Sequence, residues 1–237
     1  MAYRTLDPER IILTAEILER RVEERFPEAG LRKVAHELVL LARDLVQGAQ
    51  ALEAPIGWLR ALIGVVILVG ASVFVFVGTI VSFDRTPTGA FDFVQGLEAS
   101  INTLLLAGLG LFSLVSAEER IKRKRVFRQL HGLRSMIHVI DMHQLTKDPA
   151  ALSADFRRTR SSPQRTLGAG DLARYLDYCS EMLSITGKLA ALYAQSVNDS
   201  IVVDAVNDIE TLGTNLSRKI WQKIMLIGDA GMKAKGD

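Results

Sequence analysis

Residues 61–83 read ALIGVVILVGASVFVFVGTIVSF, a stretch of 23 residues that contains no charged side chain. At a rise of 1.5 Å per residue, a helix of this length spans about 34 Å, which matches the hydrocarbon core of a bilayer. The core helices of soluble proteins are rarely apolar on every face, as this stretch is. We therefore predict a transmembrane helix over residues 56–83.

A second uncharged stretch, ASINTLLLAGLGLFSLVSA, occupies residues 99–117 and is bounded by Glu98 and Glu118. Its 19 residues lie near the lower limit for a membrane span. If the first span crossed alone, the basic segment after residue 117 would lie on the opposite side from the N-terminus. The short connection at residues 84–95 favours a hairpin instead, with the second transmembrane helix at residues 96–117.

The distribution of basic residues predicts the orientation of this hairpin. The connection holds Arg85 against Asp84 and Asp92, whereas seven basic residues follow the second span: Arg120, Lys122, Arg123, Lys124, Arg125, Arg128 and Arg134. By the positive-inside rule, both termini are cytoplasmic and the connection is outside. We predict a multi-pass protein of the plasma (inner) membrane, although the net charge of +2 and mean hydropathy of +0.19 conceal this asymmetry.

The remaining segments show helical periodicity and no strand alternation, which predicts an all-α fold. We expect a cytoplasmic N-terminal pair of amphipathic helices (1–55), a basic juxtamembrane helix (118–148), a flexible basic loop (149–170) and a C-terminal helix pair (171–237). In the juxtamembrane helix, apolar residues alternate by four and three, as in a coiled-coil seam: Val126, Leu130, Leu133, Ile137 and Ile140. The helices from both ends of the chain are expected to form one cytoplasmic bundle.

Small residues recur at intervals of seven in both predicted spans. They are Gly57, Gly64, Ala71 and Gly78 in the first, and Gly96, Thr103, Gly110 and Ala117 in the second. Small side chains allow helices to approach closely in lipid, where packing drives association. The stripes either join the two helices of one hairpin or also pack between protomers, which would make the protein a homo-oligomer.

Polar residues mark the outer end of the second span. Gln95, Glu98 and Asn102 share one helical face. In a symmetric oligomer they would surround the outer mouth of a pore, where a ring of carboxylates attracts cations. The alternative is that Glu98 lies at the level of the lipid headgroups, where a carboxylate is tolerated.

Three of the four histidines lie within thirteen residues, at His131, His138 and His143, with Asp141 between the last two. His131, His138 and Asp141 fall on one helical face, and His143 points away from it. Metal binding and pH sensing are the functional hypotheses. The alternative is an ordinary polar face beside the apolar seam.

A basic cluster follows the second span directly and comprises Lys122, Arg123, Lys124, Arg125 and Arg128. Such clusters attract anionic lipids, and the alternative is that they serve topology alone. Nucleic acid is not an expected partner, because interleaved aromatic residues are missing.

No sequence motif points to catalysis: there is no phosphate-binding loop, GxSxG, HExxH or paired-cysteine metal set, and Cys179 is the single cysteine. We expect neither an enzyme nor a cofactor. The leading hypothesis is a homo-oligomeric two-span membrane protein that forms a pore or ion channel above a cytoplasmic helical assembly. The competing hypothesis is a non-conducting, membrane-anchored scaffold or signalling module that acts through its cytoplasmic helices.

Overall fold

A computed structural model describes residues 5–53, 56–80, 90–152, 156–163, 167–196 and 199–236 of the chain. Within these ranges, the side chains of residues 52–53, 73–74, 77–80, 90–93, 95–97, 99–100, 115, 196 and 229–236 lie outside the description. The described residues form helices α1 (Pro8–Arg25), α2 (Gly30–Glu53), α3 (Gly57–Ile80), α4 (Ala90–Leu145), α5 (Ala169–Ser196) and α6 (Ser200–Gly236), with a short 3-10 helix at Pro149–Leu152. No strand occurs in these ranges, which confirms the predicted all-α class.

The chain divides into two compact units, which we describe separately. The bundle unit combines Met1–Glu53 with Val126–Asp237, and the apolar unit comprises Ala54–Arg125. The bundle unit therefore draws on both ends of the sequence.

Helix α1 begins where its sequence predicts a helix start. The Asp7 carboxylate accepts hydrogen bonds from the backbone N–H groups of Glu9 (3.1 Å) and Arg10 (3.4 Å), and Pro8 occupies the first helical position. An N-cap of this kind satisfies donors that have no partner within the helix. The stripe that α1 buries against the rest of the bundle is Ile11, Ala15, Leu18 and Val22.

The apolar seam of α4 forms part of the bundle core. Its members are at most 3% exposed: Val126, Leu130, Leu133, Ile137 and Ile140. Gly132 lies against Leu41 of α2, and Gly213 of α6 lies against Ile137. The four-and-three spacing thus identified a buried face, and helices of the same chain cover it.

The boundaries of α4 and α5 differ from the predicted ones. Helix α4 begins at Ala90, six residues before the predicted boundary at residue 96, so the second half of the predicted connection is helical. The first half, through residue 89, lies outside the described residues. Helix α5 begins at Ala169, and the segment predicted as a loop contains the 3-10 helix at Pro149–Leu152.

Gly48 of α2 allows an aromatic ring of α5 to approach the helix backbone. The Tyr193 side chain is fully buried and donates a hydrogen bond from its hydroxyl to the Leu45 carbonyl oxygen at 3.0 Å. A Cβ atom on Gly48 would lie only 2.8 Å from that hydroxyl. Since the ring is rigid and enclosed, it has little freedom to move away.

We predict that Gly48→Ala destabilises the bundle by about 1–3 kcal/mol, because overpacking outweighs the gain in helix propensity. Gly187→Ala in α5 is the matched control, since its Cβ would meet the nearest atom at 3.9 Å. Thermal unfolding of the full chain in detergent measures both changes. Tyr193→Phe removes the clashing oxygen, so Gly48→Ala should cost clearly less in that background. Equal costs in the two backgrounds would contradict the close approach.

Candidate functional site

The described parts of α3 and α4 in the apolar unit expose large apolar side chains on every side. Leu68 (68%) and Phe76 (65%) represent α3, and Leu104 (72%) and Phe112 (70%) represent α4. By length and composition, one helical stretch among the described residues is apolar enough to cross a membrane; it lies within Ile101–Leu152, and no residue of its apolar window is buried. A shorter apolar helix occupies Gly57–Ser72. One candidate span is thus found among the described residues, and the two-span hairpin stays a prediction.

A carboxylate links the two helices of the apolar unit. Glu118 of α4 accepts a hydrogen bond from the backbone N–H of Ile56 (3.3 Å), directly before α3 begins. The Nζ of Lys122 lies 3.2 Å from this carboxylate, and the Nε of Arg60 lies 3.6 Å from it. A carboxylate at a helix N-terminus interacts favourably with the helix dipole and with unpaired backbone donors. The beginning of α3 is thereby held beside the residue that ends the second apolar stretch.

The structure describes only some of the predicted pore and packing residues. Glu98 and Asn102 are exposed, and the side chain of Gln95 lies outside the description. Among the described residues, and apart from the neighbouring backbone of its own helix, no atom approaches within 4 Å of a Cβ built on Gly57, Gly64 or Gly110. Ala71 and Thr103 are exposed, and Ala117 is half-buried. The burial of Gly78 and Gly96 lies outside the description. The packing role of the two stripes stays a prediction.

The residues of the basic cluster differ in their exposure to solvent. Lys124, Arg125 and Arg128 are exposed, and Lys122 and Arg123 are half-buried. Lys122 contacts Glu118, so part of its charge is already neutralised within the chain. Binding of anionic lipid by this cluster stays a prediction.

The histidines lie on different sides of α4. His131 and His138 are exposed, whereas Asp141 is half-buried and accepts a hydrogen bond from Gln144 at 2.6 Å. Among the described residues, no three His, Cys, Asp or Glu side chains converge as a metal site requires. A metal on His138 and Asp141 would therefore need at least one ligand from outside the described residues.

A polar network between α4 and α6 was not predicted from the sequence. The ammonium group of Lys223 donates to the Gln144 carbonyl oxygen (3.0 Å) and to its Oε1 (2.7 Å). Burial lowers the pKa of Lys223, and the carboxylates of Asp148 and Asp141 oppose that shift. Gln144 is 3% exposed and occupies the next position of the four-and-three seam after Ile140. A polar residue at a seam position signals a buried partner, although the sequence does not identify that partner.

His143 lies against α5 and the beginning of α2. Its Nδ1 is 3.4 Å from the Tyr175 hydroxyl, and its Cε1 would lie 2.7 Å from a Cβ on Gly30. The Lys147 ammonium sits 4.8 Å from the centre of the Tyr175 ring, a distance that permits a cation–π interaction. These residues line an open cleft of about 450 Å³ together with Phe26.

The single cysteine is not a reactive group. Cys179 is fully buried, and burial raises the pKa of its thiol to about 12. A thiol in this state does not act as a nucleophile or a metal ligand near neutral pH.

Comparison with known proteins gave no match to a protein-family model, to a curated protein or to a solved structure.

We predict that the free energy of unfolding of the bundle falls as the pH drops below about 6.5, because the unfolded chain then binds a proton at His143 more readily than the folded chain does. Burial lowers the pKa of His143, and the nearby charge of Lys147 lowers it further. Between this lowered pKa and the ordinary value of about 6.5, the unfolded chain binds a proton that the folded chain does not. Stability is therefore complete above this window and falls as the pH drops through it.

Unfolding in detergent at a series of pH values measures this dependence. His143→Gln should flatten the slope between about pH 6.5 and 5, whereas Leu145→Gln, at an exposed position of the same helix, should leave it unchanged. Identical slopes for the wild type and His143→Gln would exclude His143 as the titrating group.

Proposed function

We propose that this chain is a two-span integral membrane protein that anchors a helical bundle at the cytoplasmic face and acts through that bundle as a scaffold or signalling module. The observation that carries the proposal is the apolar surface of α3 and α4, which the described residues leave uncovered. Exposed apolar surface on this scale is unfavourable in water, at roughly 25 cal/mol per Å², and is favourable in lipid.

The Glu118 contact supports the hairpin. It joins the beginning of α3 to α4 at the residue where the second apolar stretch ends. Both apolar stretches therefore extend from one charged boundary, and nine residues outside the description separate α3 from α4 along the chain. Together with the basic flanks, this supports cytoplasmic N- and C-termini.

The α4 seam favours the scaffold over the pore. A coiled-coil seam below the second span would support a pore only if it joined several copies of the chain. The seam residues are buried within the bundle of one chain, so they are not available to line an interface around a pore. The scaffold hypothesis requires only a folded bundle and an anchor.

We predict that the wild-type chain stays with membranes after an alkaline carbonate wash and that Leu68→Arg/Leu105→Arg does not. Each arginine at the centre of a span opposes insertion by about 2.5–3.5 kcal/mol. The control is Leu13→Arg/Ile17→Arg, which charges two exposed apolar positions of α1 and should leave the membrane fraction unchanged. A wild-type chain in the soluble fraction would contradict the anchor.

Ion conduction is the second candidate function, and two polar side chains favour it. Glu98 and Asn102 are exposed on a helix whose neighbouring positions carry large apolar side chains. If several copies surrounded an axis, these groups would form a polar ring, which attracts cations when it contains carboxylates. Such a role requires a homo-oligomer.

We predict that, if the chain conducts, Glu98→Gln reduces its preference for cations in liposome flux assays. Glu119→Gln is the control, because Glu119 is also exposed on α4 but follows the apolar stretch. An absence of flux across a range of pH, voltage and divalent cations would exclude the pore and leave the scaffold. Unchanged selectivity in Glu98→Gln would remove Glu98 from the conduction path.

A further inference from the structure

The outer surface of the bundle formed by α2 and α4 combines an apolar groove with charged and polar groups that have no partner in the part of the chain that the structure describes. Leu40 (40% exposed), Val139 (41%) and Met142 (69%) are its exposed apolar members. A cleft of about 730 Å³ runs between the two helices, lined in part by Gly132, Ser135 and Met136. Apolar surface with a polar rim is typical of a protein interface.

The polar groups on this surface follow one spacing on both helices. Helix α2 carries the exposed carboxylates Glu37 and Asp44, seven residues apart, and α4 carries the exposed imidazoles His131 and His138, also seven apart. Seven residues correspond to about 10.5 Å along a helix and return to nearly the same face. Among the described residues, none of these four side chains has a hydrogen-bond or ion-pair partner.

Contacts between α2 and α4 fix the relative heights of these groups. The helices are antiparallel, since Gly30 lies against His143 and Gly48 lies against Gln129. Counting from these contacts places Glu37 within about 3 Å of the height of His138, and Asp44 within about 3 Å of that of His131. Each carboxylate is thus level with an imidazole of the neighbouring helix.

We infer that a second copy of this chain docks on the α2–α4 surface, related by a two-fold axis that runs along the helices. This two-fold rotation leaves the position of each residue along the axis unchanged and exchanges the sides on which α2 and α4 lie. Helix α2 of one copy therefore faces α4 of the other. Glu37 then meets His138 of the second copy, and Asp44 meets its His131. An imidazole donates an N–H to a carboxylate whether it is neutral or protonated. Leu40 lies between the two pairs and packs against the opposing α4.

A second copy matches this surface because both members of each pair occur in one chain. The two-fold operation generates both pairs twice, so four acid–imidazole contacts form from two residues on each helix. This dimer extends the proposed function and does not depend on it, since the surface belongs to the bundle unit alone.

Cysteine cross-linking tests the register of the dimer. Two full-length variants, Glu37→Cys and His138→Cys, are co-expressed with different tags, extracted in detergent and oxidised mildly. The single native thiol, Cys179, is fully buried and does not compete. We expect a disulfide-linked dimer that carries both tags when the two variants are co-expressed. Either variant expressed alone should give no disulfide-linked dimer. Co-expression of His138→Cys with Glu210→Cys, which is exposed on α6, should give none.

Charge reversal separates docking from a folding defect. We expect Glu37→Lys and His138→Glu each to weaken dimerisation roughly two- to thirtyfold, measured by sedimentation of the full chain in detergent. The double variant should recover dimerisation, because the opposite charges meet again. Glu24→Lys makes the same charge change on an exposed position of α1 and should have no effect.

A monomeric wild type, or a Glu37→Lys variant that dimerises like the wild type, would overturn the inference. Carbonate extraction of the membranes from which these samples are prepared keeps this result distinct from the membrane proposal. A monomer that resists extraction refutes the dimer alone, and a dimer that is released refutes the anchor alone.

Discussion

The apolar surface that the described parts of α3 and α4 leave exposed is the constraint on which the proposed architecture depends. Helices α3 and α4 satisfy their own backbone hydrogen bonds, so they need no protein partner within a bilayer. Their leucine, valine and phenylalanine side chains are exposed over the described segments. In the bundle unit, by contrast, the core apolar side chains are enclosed by helices from both ends of the chain. The bundle thus buries its core against protein, whereas the proposed function assigns the apolar surface of α3 and α4 to the membrane.

Helical periodicity predicted the bundle well because its signal is local. The seam of α4 is buried, as its four-and-three spacing indicated. The start of α4 at Ala90 was not predicted, because hydropathy shows where an apolar stretch begins. The start of the helix itself depends on where the backbone first becomes helical. Residues 87–89 read PTG, the last helix breakers before a continuous helix. Those residues were the better guide to the start of α4.

The polar sites were predicted less completely, because their partners are distant in sequence. Periodicity correctly separated His143 from the face of His138, yet it did not bring His143 to Tyr175, 32 residues away. Lys223 reaches Gln144 across 79 residues. A buried glutamine on an apolar seam shows that some partner is needed, but many lysines and arginines were available to supply it. Only the packing of α6 on α4 selects Lys223.

The two flanks of α2 differ in whether their carboxylates are paired among the described residues. Where α1 meets α2, the carboxylates are paired across the two helices: Glu16 with Arg43 at 2.7 Å, Glu19 with His36 at 2.6 Å and Glu23 with Arg32 at 3.0 Å. On the opposite flank of α2, Glu37 and Asp44 lie level with imidazoles that they do not reach within the chain. Solvation alone would explain unpaired surface acids, but it does not explain why the spacing and height match those of the histidines. A two-fold axis accounts for both features with one operation, and it covers the exposed apolar side chains between them.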